Sequence, residues 1–434
     1  MKYLKYLKIL NFKFEVKPDF ESSLSKAKST KMITALSWIP RGITPKKLLP
    51  SNNNDEEVDR YLRILQGESN PAPAPEPQPV SAEDEEIIKK YHLDTYDDDD
   101  EDAGPPADIV NNDPYQTGPI APEEGDEDDE IRSTDFLLIV GKYGEDVPTL
   151  EVHLFDETQE SLYVHHELLL PSFPLSIRWM DIEPMSGNQG SYAAVSSMRS
   201  EIEIWNLNID DPICPTAVLQ FHKDSVPGLS WNLNNRAALL SASIDTQAVV
   251  WSLQNCQPAA VFQVGSECKA SEWCPTNATL FSVASSGGVF GYDVRQGQQF
   301  TFMNGVSIES LVWSSDGNCI LTSLTSGEIC VVDIRNMSEP LLNWKAHDGP
   351  ANSLAACMSA PVVATVGDDQ ICKIWGIKDR TSTLLAEENL NVGQMFTCMF
   401  CPDKPTLLAV GGSENGTALW DIDNVINPVQ APAQ

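Results

Sequence analysis

Three groups of residues in this sequence could do chemistry. Cys398 and Cys401 form a C-x-x-C pair, the spacing at which two thiolates chelate zinc. His165 and His166 stand side by side and could offer imidazole nitrogens to a metal. Aspartate and glutamate gather in YDDDDED (96–102) and EEGDEDDE (123–130), carboxylates of the type used in acid–base work. None of the three makes a site by pattern. No second cysteine pair stands at zinc-ribbon spacing, and no nearby histidine completes a ligand set. On a strand, residues three apart or adjacent point to opposite faces, which sets Cys398 against Cys401 and His165 against His166. The acidic runs have nothing around them to fix a geometry. The sequence also holds no Walker A loop, no G-x-S-x-G elbow and no H-E-x-x-H. Core cysteines and satisfied or exposed histidines are expected, with no metal, no cofactor, no small-molecule substrate and no catalytic residue.

The elements that would have to position any site point the same way. The chain has 434 residues, 41% hydrophobic and 21% charged, enough for a sizeable core. No apolar run approaches the ~18 residues of a membrane span. The net charge is −34, and 26 of the 63 acidic residues lie between 51 and 132, against five basic ones. The acidity therefore belongs chiefly to one segment, and the chain as a whole is a poor match for a nucleic-acid backbone. All ten cysteines lie beyond residue 213, mostly in apolar runs such as EICVVDI around Cys330 and QICKIW around Cys372. Reduced, buried thiols in the cytosol or nucleus fit that placement. The opening MKYLKYLKILNFKFEV has no unbroken apolar stretch and no small-residue cleavage site, so it is a poor secretory signal.

Internal repetition carries more information than any motif. A short apolar strand ending on a ring or β-branched residue recurs as EIEIWNL (201–207), AVVWSL (248–253), VFGYDV (289–294), ICVVDI (329–334), CKIWGI (372–377) and TALWDI (417–422). The repeated position is Trp205, Trp251, Tyr292, Val332, Trp375 and Trp420, at intervals of 40 to 46 residues, the length of one four-stranded propeller blade. Each is preceded by an alternating strand that stops in a turn: LSIRWMDIEP (175–184), VPGLSWNLN (226–234), ASEWCPT (270–276), IESLVWSSDG (308–317) and FTCMFCPD (396–403). Between the two lies a strand of small residues, such as YAAVSS or LLAVGG, suited to the crowded inner part of a blade.

This order resembles the WD-repeat family, whose strands are lettered a to d from the central channel outward. The WD dipeptide survives at Trp420-Asp421, with Trp205-Asn206 and Tyr292-Asp293 close to it. The resemblance implies a hydrogen-bonded tetrad of His, Ser or Thr, Asp and Trp in each blade that keeps it. Blade three would use His222, Ser241 or Ser243, Asp245 and Trp251; blade six would use His347, Thr365, Asp369 and Trp375. The remaining blades lack the set and are expected to rely on apolar packing. A further blade is split: DFLLIVG (135–141), TLEVHLFDE (149–157) and SLYVHHELLL (161–170) read as strands b, c and d, while the matching strand a lies upstream in MITALSWIPRG (32–42). The expected architecture is an all-β, seven-bladed WD40 β-propeller with a long disordered acidic insertion in its first blade.

The expected parts are a basic leader (1–31), the first strand (32–42), the acidic, proline-rich insertion (43–132), the rest of the propeller (133–427) and a disordered tail (428–434). NPAPAPEPQPV (70–80) reads as an extended spacer, and the acidic runs repel themselves. Two islands differ. DEEVDRYLRILQ (55–66) places Val58, Leu62 and Leu65 on one helical face, and SAEDEEIIKKYHL (81–93) opens on a capping box and continues into Ile87, Ile88 and Tyr91. These six are the candidate partner-binding residues, with the acidic runs screening basic proteins or histones. Ser81 and Thr95 each have an acidic residue three positions on, an acidophilic-kinase pattern that marks a phosphoprotein.

The first 180 residues sharpen the resemblance. MITALSWIPRG, the element of Tyr91, Leu93, Tyr96 and Asp97, the DPY at 113–115 and LEVHLFDE…LYVHHELLLPSFPLSIRW are similar, in this order, to the periodic tryptophan protein 1 family. That family implies a non-enzymatic scaffold of the nucleus and nucleolus, acting in ribosome biogenesis on large-subunit pre-rRNA, with pre-ribosomal proteins and pre-rRNA as partners within a particle. The alternative is a chromatin or histone-binding adaptor; a ubiquitin-ligase or coat subunit is a third. Two departures stand out. Residues 1–31 fall outside the resemblance, so the native chain is expected to start at Met32. A lysine-rich loop of some members is missing between Asn208 and Gln220, which weakens direct RNA contact.

Overall fold

The computed structural model describes residues 32–426 apart from 46, 52–54, 67–129, 145–146, 304 and 379. The chain divides into a unit of residues 1–61 and 130–434 and a second unit of 62–129, of which 62–66 are described as the end of a helix. The first unit is a seven-bladed β-propeller. Six blades are four-stranded antiparallel sheets and the seventh has three strands among the described residues.

Blade one is the split one. Strand a, Met32–Ile39, pairs with Phe136–Tyr143, which leads through Thr149–Asp156 to Ser161–Leu169. Blades two to seven begin on Pro174–Ile182, Gly228–Trp231, Cys268–Trp273, Ile308–Trp313, Ala351–Ala356 and Met395–Phe400. Because each blade is a simple meander, the a–b and c–d connections share one side of the ring and the b–c and d–a connections share the other. The excursion from residue 40 to 135 is blade one's a–b connection, so it leaves from the a–b side.

The repeats form strands for a local reason. Alternation buries one row of side chains against each neighbouring blade, while the small residues of strand b are buried on both faces, as in Ala238–Ala242, Val362–Gly367 and Leu407–Gly412. Strands a and b shift register near the second residue of strand a in six blades, the same bulge each time. The ring closes where Ile33, Leu36 and Trp38 of blade one pack with Cys401, Leu407 and Ala409 of blade seven. Gly411 permits that approach, since a Cβ there would stand 2.5 Å from Ile33 Cγ2.

The start of the excursion carries more structure than its composition suggests. Leu49 bridges Ile209 in parallel, with its amide donating to the Asn208 carbonyl at 2.7 Å and its carbonyl accepting from Asp210 at 2.8 Å. Helix α1, Asp55–Leu65, follows, with three carboxylates in its first turn, where they favour the helix dipole. The expected insertion is therefore anchored along 47–51 and again at Tyr61. The island at 81–93, with Ile87, Ile88 and Tyr91, the acidic runs, Ser81, Thr95, the leader and the tail 428–434 lie outside the described residues.

Candidate functional site

The strand-c ring of each blade is where polar groups become buried, and the blades satisfy it in different ways. In blade three, the Trp251 indole N–H donates to Ser241 Oγ at 2.8 Å, and Ser241 Oγ lies 2.7 Å from His222 Nε2. His222 Nδ1 lies 2.9 Å from Asp245. One assignment satisfies every member: indole to hydroxyl, hydroxyl to Nε2, Nδ1–H to carboxylate. Ser243 is not the bridging hydroxyl; it caps the turn, accepting from the Asp245 amide and donating toward the Ser225 carbonyl. Blade six repeats the chain through Trp375, Thr365, His347 and Asp369 at 3.0, 2.8 and 2.9 Å. Burial alone would raise the Asp245 carboxyl, but the His222 ring and the Lys223 amide outweigh it and hold it below its ordinary value. Burial lowers His347, and Asp369 opposes that only in part. The residue types are those of acyl transfer, yet Ser241 and Thr365 are fully buried and their hydroxyls are occupied.

The expectation that the other blades rely on apolar packing needs correcting in blades one and two. There the carboxylate sits two residues before the ring on strand c itself. Trp205 Nε1 donates to Glu203 Oε2 at 3.1 Å, and His153 Nε2 lies 2.8 Å from Glu151 Oε2. Residues i and i+2 share a face, so this Glu-x-ring spacing is self-contained. Each carboxylate takes a second partner from elsewhere: Lys142 bonds Glu151, and the Tyr61 hydroxyl of α1 donates to Glu203 Oε1 at 2.7 Å. Burial pushes Glu203 up to about 7 against the pull of Tyr61 and Trp205. Glu151 ends below its ordinary value because His153 and Lys142 together outweigh its burial. Tyr292 of blade four donates its hydroxyl to the Gln263 carbonyl at 3.2 Å, Val332 of blade five packs in an apolar cluster, and Trp420 of blade seven is half-buried.

Tyr61 and Glu203 were not legible as a pair, being separated by 142 residues. Their ring contact, Tyr61 edge-on to Trp205 at 6.3 Å, places α1 on blade two. Among the candidate partner-binding residues, Val58, Leu62 and Leu65 are half-buried, while Tyr61 and Ile64 are the buried residues of this helix.

The histidine pair also departs from expectation. Val152 pairs with His166 and His153 with Val164, so His165 is the extra residue of a bulge. The bulge turns both rings together, with Nδ1 atoms 3.0 Å apart, instead of to opposite faces. Burial and the neighbouring His165 bring His166 down to about 4. Cys398 and Cys401 do part company: they are buried in separate clusters, one toward blade six and one toward blade one. Among the described residues no three His, Cys, Asp or Glu side chains are grouped to hold a metal ion.

A second series of tryptophans, on strand a, ties blades to each other. Trp179 and Trp273 donate their amides to Ser37 Oγ and Ser230 Oγ of the preceding blade, at 3.0 and 3.1 Å. The Trp313 amide donates to Glu272 at 3.0 Å, and Trp38 Nε1 crosses the closure to the Met399 carbonyl at 3.1 Å.

What remains for partners is the surface. Among the described residues, the four most exposed large apolar side chains are Leu233 at 71%, Met358 at 64%, Met185 at 60% and Leu49 at 58%. Leu233, Met358 and Met185 sit in a–b turns, and Leu49 bridges blade two's c–d connection, so all four belong to one side of the ring. That is the side from which the excursion leaves. Three of its cations are paired: Arg236 with Asp181, Arg335 with Asp333, and Lys404 with Glu157 and Asp421.

Comparison with known proteins agrees with this geometry. The family model "WD domain, G-beta repeat" matches residues 338–376, the end of blade five and blade six as far as Gly376. The chain is 32% identical over 417 residues to an uncharacterized WD repeat-containing protein of Schizosaccharomyces pombe, covering 86% of this chain and 78% of that one. It is 29% identical over 328 residues to the periodic tryptophan protein 1 homolog of Drosophila melanogaster, covering 69% and 70%. With periodic tryptophan protein 1 of Saccharomyces cerevisiae the identity is 25% over 516 aligned positions, covering 90% and 88%.

Proposed function

The chain belongs to the periodic tryptophan protein 1 family of WD-repeat proteins, and from that premise we propose that it is a non-enzymatic scaffold of ribosome biogenesis. In this reading it works in the nucleolus, holding pre-ribosomal proteins while large-subunit pre-rRNA is matured. The carrying observation is that Leu233, Met358, Met185 and Leu49, all strongly exposed, stand in turns on one side of the ring. Exposed apolar side chains in the turns of one side give a protein partner apolar surface to bury there. The acidic excursion leaves from the same side and can hold basic partners beside it, the feature that also favours a histone-binding adaptor as the second reading.

The test is sedimentation of tagged protein through a sucrose gradient, wild type beside a Met185→Glu, Leu233→Glu double variant. Co-migration with large pre-ribosomal particles, sensitive to RNase and lost in the variant, is the expected result. Recovery with nucleosomes alone would transfer the assignment to the adaptor reading. Unchanged co-migration of the variant would remove the a–b side from it.

A further inference from the structure

Blade two is finished differently from its neighbours. In blades one, three, four and six the ring position of strand c faces a residue of strand d: His153 faces Val164, Trp251 faces Pro258, Tyr292 faces Gln298 and Trp375 faces Leu384. Strand d of blade two is only Ala217–Leu219, and its pairing with strand c stops at Ile204. Trp205 and Asn206 therefore have no strand d beside them. The excursion takes that place. Tyr61 of α1 stands edge-on to Trp205 and donates to Glu203, and Leu49 bridges Ile209 a few residues further on. This cover fits less closely than the lock of blade three. Asn208 Oδ1, beside the Leu49 bridge, and Thr44 Oγ1, on the stretch leading to it, are buried without a hydrogen-bond partner among the described residues. An eleven-residue helix is marginal by itself, so α1 owes its place to the contacts it makes.

We propose that this part of blade two is a docking site for a tyrosine-bearing helix of a partner protein, with α1 as its displaceable resident. The site serves a partner of that chemistry whichever particle the scaffold joins. Its residues select the occupant. Glu203 Oε2 accepts from the Trp205 indole at 3.1 Å, which leaves Oε1 for a further donor, filled by the Tyr61 hydroxyl at 2.7 Å. That donor has to be carried by a ring that packs against the edge of a fixed indole. A phenol meets both demands; phenylalanine lacks the donor, and serine or lysine lacks the ring. The Leu49 bridge adds a hold that tolerates many side chains, since it uses the Asn208 carbonyl and the Asp210 amide. The cover can leave without unfolding the blade, whose four-stranded sheet is complete without it. Its departure also returns Glu203, which burial pushes up to about 7, toward water, where a carboxyl ionises freely. A partner's helix competes with a neighbour tethered in cis through residues 40–54, so its docking frees α1 and the start of the excursion.

A dye-labelled synthetic peptide of residues 47–66 is the probe, with binding read by fluorescence anisotropy. It is titrated into the full chain and into a full-chain Leu49→Asp, Tyr61→Ala variant, whose own cover is weakened. The peptide should bind the variant at least about tenfold more tightly than the wild-type chain, where α1 competes in cis. The same peptide carrying Tyr61→Ala should bind the variant at least about tenfold more weakly, as an anchor residue demands. Equal affinity for the two proteins, or equal affinity of the two peptides, overturns the proposal. Hydrogen exchange of the wild-type chain provides a measurement that needs no variant to fold. The amides of Leu49 and Asp210 should exchange at least about a hundredfold faster than the strand-c amides of blade three, because the cover lifts while the ring stays folded. Exchange as slow as in blade three would make α1 a fixed part of the ring and overturn the proposal as well.

Discussion

Blades two and three bury the same side chain at the same place and satisfy it by unrelated means. Trp251 gives its N–H to a hydroxyl that hands on through an imidazole to Asp245, all within residues 222–251. Trp205 gives its N–H to a carboxylate two residues away, and that carboxylate reaches Tyr61 for its other partner. A buried donor imposes a requirement for an acceptor but not for a particular one. Blade seven completes the comparison: it keeps the full Trp420-Asp421 dipeptide, but its ring is only half-buried and no lock is found among the described residues. The dipeptide and the lock are therefore separate things, and burial of the ring decides whether a lock is needed.

The widest test of this is removal of the ring. Trp205→Ala and Trp251→Ala each vacate a fully buried site and should cost roughly 3–5 kcal/mol. Trp420→Ala should cost less than half of that, measured as the shift in chemical denaturation midpoint at constant slope. A loss at Trp420 equal to that at Trp251 would break the link between burial and lock.

Removing the far end of the lock comes next. Asp245→Ala leaves His222 Nδ1 buried without an acceptor and should cost on the order of 1–3 kcal/mol. The equivalent Asp369→Ala in blade six should behave alike. Asp421→Ala in blade seven removes a surface pairing with Lys404 and should cost about 1 kcal/mol or less. Melting temperatures of the three proteins rank the effects, and an Asp245 variant as stable as wild type would remove His222 from the lock.

Much of this was legible in the sequence and some of it was not, for identifiable reasons. The seven blades and the locks of blades three and six show themselves because repetition spaces Asp245 and Asp369 six residues before their tryptophans. The split first blade shows because MITALSW carries the same ending as the other strands a. Glu151-x-His153 and Glu203-x-Trp205 were hidden because an acidic residue on an alternating strand reads as solvent-facing. His165 and His166 were misjudged because strict alternation fails at a bulge, which only the pairing of Val152 and His153 reveals. The exposed face of Met185, Leu233 and Met358 could not be read, since isolated apolar residues in turns acquire meaning only when the ring brings them to one side.

The smallest effect separates the locks most finely. Tyr61→Phe keeps the ring against Trp205 and removes one hydrogen bond to Glu203, a loss of about 1 kcal/mol. Glu203 has a folded-state pKa raised to about 7, with Arg199 and Glu201 as its charged neighbours. The folded protein then holds a proton that the unfolded chain has released, so this group's contribution to stability falls as pH rises from the ordinary carboxyl range to about 7 and is level beyond. The Tyr61 hydroxyl favours the ionised form, and a bond to a charged acceptor is worth roughly twice a neutral one. Its loss should therefore matter more at pH 8 than at pH 5, with the melting temperature of Tyr61→Phe close to wild type in acid and drawing away above neutrality. The same pair of measurements on Asp245→Asn should show no such divergence over that interval, because Asp245 is held below its ordinary value and stays ionised throughout. Parallel curves for Tyr61→Phe and wild type would mean that Glu203 does not titrate there, and that blade two's lock is a fixed one like blade three's.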